Sequence, residues 1–105
     1  MNTSLKTLIV ALATAGLTSI AFGATAEENW KTYCMKCHGA GGEGKKAMKT
    51  EDYTTAEFQA KFTDEQLFAA TKDGVKDTKM PPFAAKGLTD EDITALVAHI
   101  RAMKK

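Results

Sequence analysis

A chain of 105 residues with 14 basic and 13 acidic side chains has room for one domain at most. Its net charge of +1 carries no excess that would suggest a nucleic acid or a membrane surface as partner. A domain this small buries little apolar surface by itself and usually needs a staple or a cofactor.

The first stretch reads as an export leader. Met1 to Lys6 carries one positive charge, an apolar run from Leu8 continues to Phe22, and Ala24-Thr25-Ala26 comes next as a small-x-small cleavage pattern. The run is short for a membrane span, and its end is removable. Residues 1–26 are therefore expected to be a cleaved secretory signal, with cleavage after Gly23 as the close alternative. Residues 27–105 then form the single mature domain. Without Lys6 the formal charge of that domain is zero. The expected location is outside the cytoplasm, in the periplasm of a bacterium, with no stable membrane insertion after cleavage.

Glu27 to Cys34 reads as a helix with two carboxylates in its first turn, where the helix dipole favours them. Trp30, Tyr33, Cys34 and Cys37 have the spacing of one helical face. The helix runs into Cys34-Met35-Lys36-Cys37-His38, which holds both cysteines of the chain and one of its two histidines. C-x-x-C-H is the attachment signature of c-type haem. On a helix both sulfurs project from one side, each able to form a thioether to a haem vinyl group, and His38 can supply the proximal iron ligand. Two other chemistries use similar residues. A redox dithiol needs a strand before it and a βαβ frame, and neither is visible. Zinc needs four ligands, which would have to be Cys34, Cys37, His38 and the distant His99.

Four glycines between Gly39 and Gly44 come after the motif, consistent with backbone turning tightly around a cofactor edge. A short helix is expected from Asp52 to Phe62, anchored by Tyr53, Phe58 and Phe62, although Thr54-Thr55 breaks its pattern. Thr63 with Gln66 forms a capping box for a helix that stops near Gly74, and Thr89 with Asp92 repeats the device. The last helix carries Ile93, Leu96, Val97 and Ile100 as one stripe and ends in Arg101, Lys104 and Lys105. No stretch shows sustained strand alternation, so the expected fold is all-α.

Between those helices lies Met80-Pro81-Pro82, with the only two prolines of the chain. A residue before proline is held extended, and the two pyrrolidine rings stiffen their own stretch of backbone. Met80 is thus a candidate distal iron ligand on a pinned segment, with Met48, His99 or an open position as alternatives.

Taken together, Trp30 before Cys34-Met35-Lys36-Cys37-His38, the glycine-rich loop, the helix ending near Gly74, Met80-Pro81 and the helix opening at Leu88-Thr89 resemble a class I c-type cytochrome of the small monohaem bacterial kind. The resemblance covers the whole of residues 27–105. It implies three to five helices wrapped around one covalently attached haem c, with the first and last helices packed near Trp30, Leu96 and Ile100. It also implies His38 as proximal and Met80 as distal ligand. Many members have a proline after the haem histidine whose carbonyl receives the imidazole N–H; this chain has none there. The expected function is one-electron transfer between donor and acceptor proteins by a diffusible monomer that is not an enzyme. Lys36, Lys45, Lys46, Lys76, Lys79 and Lys86 are expected around the exposed haem edge. A subunit of a larger oxidoreductase, or a haem enzyme or gas sensor with an open sixth position, is the alternative.

Overall fold

The computed structural model describes residues 23–105. Most of the expected leader, residues 1–22, lies outside the described residues. Among those described there is no strand, and no helix is long and apolar enough to cross a membrane.

The first helix, α1, covers 26–38. Thr25 caps it, its hydroxyl accepting from the Glu28 amide while the Glu28 side chain accepts from the Thr25 amide. The helix is α-helical over Ala26–Asn29, widens to a π-turn over Trp30–Cys34 and returns to α over Met35–His38. The Met35 amide donates to the Trp30 carbonyl in the widened turn. Sequence periodicity predicts an unbroken α-helix here; the π-turn is the difference, of the kind that often marks a functional site.

A glycine-rich turn returns the chain along α1, with the Gly44 amide donating to the His38 carbonyl at 2.8 Å. Gly44 sits at φ +82, where a Cβ would lie 2.7 Å from the Thr50 and Glu51 carbonyl oxygens, so a larger residue does not fit. A single 3₁₀ turn, Lys46–Met48, comes next. The helix expected from Asp52 is shorter: α2 is Ala56–Lys61. The two threonines that interrupt its pattern are its start. Asp52 Oδ1 accepts from the Thr54 amide, and the Thr55 hydroxyl caps α2 by accepting from the Phe58 amide.

Helix α3, Asp64–Asp73, and helix α4, Asp90–Arg101, both open with the capping boxes that the sequence shows. Between them the chain carries Met80 and a 3₁₀ turn, Phe83–Lys86. Helix α4 packs against the first turn of α1 and against α3. Ile93 and Leu96 are fully buried at that junction, joined by Trp30, Leu67, Val97 and Ile100. Each such side chain contributes about 1.5–3 kcal/mol on burial.

Arg101 closes the fold in a way its position at a helix end does not announce. Its Nε donates to Asp64 Oδ1 at 2.7 Å, Nη1 to the Gln59 carbonyl at 2.9 Å and Nη2 to the Phe62 carbonyl at 2.6 Å. The guanidinium fork thus ties the end of α4 to the turn between α2 and α3.

Candidate functional site

The elements enclose a cavity of about 380 Å³ whose walls come from nearly every segment. From α1 it receives Trp30, Tyr33, Cys34, Cys37 and His38, from the 3₁₀ turn Met48, from α3 Leu67 and Thr71, and from α4 Leu96 and Ile100. The loop between α3 and α4 adds Met80 and Pro81. Cys34, Cys37, His38 and Met80, which the sequence singles out across more than forty positions, therefore share one space. An apolar cavity of this size with a few convergent polar groups is what a buried cofactor needs.

The two cysteines are free, with Cys34 buried and Cys37 half-buried. Burial pushes the Cys34 thiol up to about 12, with the Cys37 sulfur adding to the effect. A thiol so far from ionising is a poor exchange nucleophile, which argues against a redox dithiol. Zinc fares no better: no three His, Cys, Asp or Glu side chains come together as a metal cluster among the described residues.

His38 is held by faces. Its ring stacks on Tyr53, with centroids 5.0 Å apart and planes 27° apart, and lies 6.0 Å from Trp30. Its Nδ1 is buried without a hydrogen-bond partner. Burial also lowers the imidazole below its ordinary pKa, keeping it neutral and able to donate a lone pair. Tyr53 is reached through the Gly42 carbonyl, which accepts from its amide at 2.7 Å. The sequence marks Tyr53 only as a helix anchor. Its place against His38 has no local signal, because the two are joined through the glycine-rich turn.

Trp30 is buried, and its Nε1–H is shared between the carbonyls of Gly39 at 3.0 Å and Ala40 at 3.1 Å. One ring thereby fixes the exit from the C-x-x-C-H motif. His99 lies 5.6 Å from the Trp30 ring and does not line the cavity, so it fills a packing slot. Met103 packs at Gly42, away from the cavity.

The Met80 segment is tied back on itself. The Val75 amide donates to the Met80 carbonyl at 3.2 Å, the Met80 amide donates to Thr78 Oγ1 at 3.1 Å, and Thr78 Oγ1 donates to the Val75 carbonyl at 2.7 Å. Met80 is half-buried and packs on the core. Met48 also lines the cavity, from the 3₁₀ turn on the other side of the motif. Of the six lysines named from the sequence, all but Lys79 stand outside the cavity wall, and all six are exposed. Lys49 joins Lys79 at the wall.

Two thiols, an imidazole with a buried unpartnered nitrogen and an apolar enclosure fit a covalently held haem. Comparison with known proteins agrees. The family model described as cytochrome c oxidase, cbb3-type, subunit III matches residues 21–100. The solved structure of the KustC0563 c-type cytochrome superimposes with a TM-score of 0.71 at 30% identity, covering 78% of this chain and 100% of that one. A mutant of the same cytochrome gives a TM-score of 0.68 at 30% identity, covering 77% of this chain and 100% of its own. No curated protein matches.

Proposed function

This chain belongs to the c-type cytochromes, in the family described as cytochrome c oxidase, cbb3-type, subunit III, and from that membership we propose that it is an exported one-electron carrier. Membership carries covalently bound haem c with it; a single C-x-x-C-H motif is compatible with one haem per chain. Haem supplies an iron centre that changes oxidation state by one electron.

The chain's own residues hold and tune that centre. Cys34 and Cys37 would hold the haem through thioethers, and His38 and Met80 would supply its iron ligands. The observation that carries this reading is the convergence of these four side chains on one cavity. His38, neutral and packed against both Tyr53 and Trp30, which also touch each other, keeps its ring orientation by packing. Met80 is favoured over Met48 because Pro81 and the Val75–Thr78–Met80 bonds restrain its backbone. Two protein ligands would leave no position on the iron for a substrate, and apolar side chains make up most of the cavity wall.

Ferric and ferrous absorption spectra of the purified protein, beside Met80→Ala and Met48→Ala, test the assignment. The weak long-wavelength band of methionine–iron bonding should vanish in Met80→Ala and persist in Met48→Ala. A high-spin wild-type spectrum with ready carbon monoxide binding would remove the carrier reading in favour of an open site. Export to the periplasm is tested by fractionation.

Exposed Lys36, Lys45, Lys46, Lys76, Lys79 and Lys86 would steer an acidic redox partner to the haem edge. Association rates should then fall with ionic strength. The family description favours a second setting, in which this domain delivers electrons within a larger oxidoreductase. Co-purification with a catalytic subunit would support it, and a free monomer would count against it.

A further inference from the structure

The leader-like run ends in two bonds with small residues at the first and third positions before them. Ala24-Thr25-Ala26 allows a cut before Glu27, and Ala21-Phe22-Gly23 allows a cut before Ala24. The two products differ by three residues, and the fold distinguishes them.

Thr25 is the N-cap of α1, with extended backbone at ψ 167°. Its hydroxyl accepts from the Glu28 amide at 3.1 Å, its own amide donates to Glu28 Oε1 at 2.8 Å, and its carbonyl accepts from the Asn29 amide at 2.9 Å. A cut after Ala26 deletes all three bonds. It also leaves a new ammonium on Glu27 inside the first turn, where the positive end of the helix dipole repels it. A cut after Gly23 leaves Thr25 in place and sets the new ammonium ahead of the cap. Gly23 and Ala24 are exposed and precede the helix. The damage from the longer cut would not stay local, because α1 leads directly into Trp30, Cys34, Cys37 and His38.

We infer that the leader is removed between Gly23 and Ala24, so that the exported protein begins Ala24-Thr25-Ala26 with its capping box complete. The step is hydrolysis of one peptide bond by a signal peptidase: water is consumed, a carboxylate forms on Gly23 and an ammonium forms on Ala24. Cleavage acts on the unfolded chain, so the cap does not guide the peptidase; the cap is what the cut leaves behind.

The inference rests on the export reading, and the two fail differently. Intact mass and N-terminal sequencing of holoprotein released from the periplasm should show a chain starting at Ala24. Absence of the protein from the periplasmic fraction would remove both readings, and a chain released there that starts at Met1 or Glu27 would remove this inference alone. Thr25→Ala, with its mass read on the same sample, should lower Tm by about 4–8 °C. An unchanged Tm in a variant that still starts at Ala24 would overturn the role given to the cap.

Discussion

Gly74 and Met80 meet through backbone alone: a Cβ built on Gly74 would stand 2.8 Å from the Met80 carbonyl oxygen, 2.9 Å from the Pro82 nitrogen and 3.0 Å from the Pro81 carbonyl carbon. Gly74 ends α3 at φ +78, ψ 178°, a conformation essentially restricted to glycine. The residue that stops the helix is thus also the floor under the proposed distal ligand. Gly74→Ala should cost about 1–3 kcal/mol from backbone strain. It should also displace the Met80 segment, weakening the methionine–iron band of the ferric spectrum. A variant with lower Tm but an unaltered band would confine Gly74 to stopping the helix.

Tyr53 should matter to His38 through its ring and little through its hydroxyl. We predict that Tyr53→Phe keeps the stack and leaves the ligand-field spectrum close to wild type. Tyr53→Ala removes a buried ring and should cost about 3–5 kcal/mol in urea unfolding. Hyperfine-shifted NMR signals of the His38 imidazole should move in the alanine variant, since its Nδ1 has no hydrogen bond to hold the ring.

Arg101 separates stability from the site. Arg101→Met leaves the Gln59 and Phe62 carbonyls without their donor and should destabilise by about 1–3 kcal/mol. Arg101 does not line the cavity. Chemical denaturation should show the loss, while the absorption spectrum and reduction potential stay unchanged.

Three exposed carboxylates contribute to the acid limb of stability. Backbone amides of Glu43 itself and of Gly41 hold Glu43 below its ordinary 4.5. The Thr25 amide and hydroxyl do the same for Glu28, and the Thr54 hydroxyl and amide hold Asp52 below 3.8. A carboxylate lowered in the folded state stabilises above its unfolded pKa, and that stability is lost as pH falls through the folded value. Urea midpoints should therefore decline below about pH 4.5, and the decline should be shallower in Glu43→Gln.

How much of the fold is legible in the sequence depends on the reach of its local patterns. A capping box closes within three residues, so Thr63–Gln66 and Thr89–Asp92 can be read directly and appear as expected. The C-x-x-C-H spacing and the Met-Pro-Pro segment are equally local. The Tyr53 stack on His38 and the Arg101 fork depend on how distant segments return, and neither leaves a mark at its own position. The π-turn at Trp30–Cys34 falls between these cases: periodicity places its side chains on one face but does not show the widened turn. Thr55 is visible as an interruption, and only the Phe58 amide shows that it starts a helix.

The burial of Cys34 sets an order of events for making this protein. Once α1 is packed, Cys34 is 8% exposed and burial pushes its thiol up to about 12, so at neutral pH it behaves as a small hydrophobe. With Cys34 as a thioether donor, as proposed, the bond would form on the open chain and packing would come afterwards. A finished molecule should accordingly survive a cycle of unfolding and refolding with its cofactor retained. On that proposal, a chain packed before loading would first have to open.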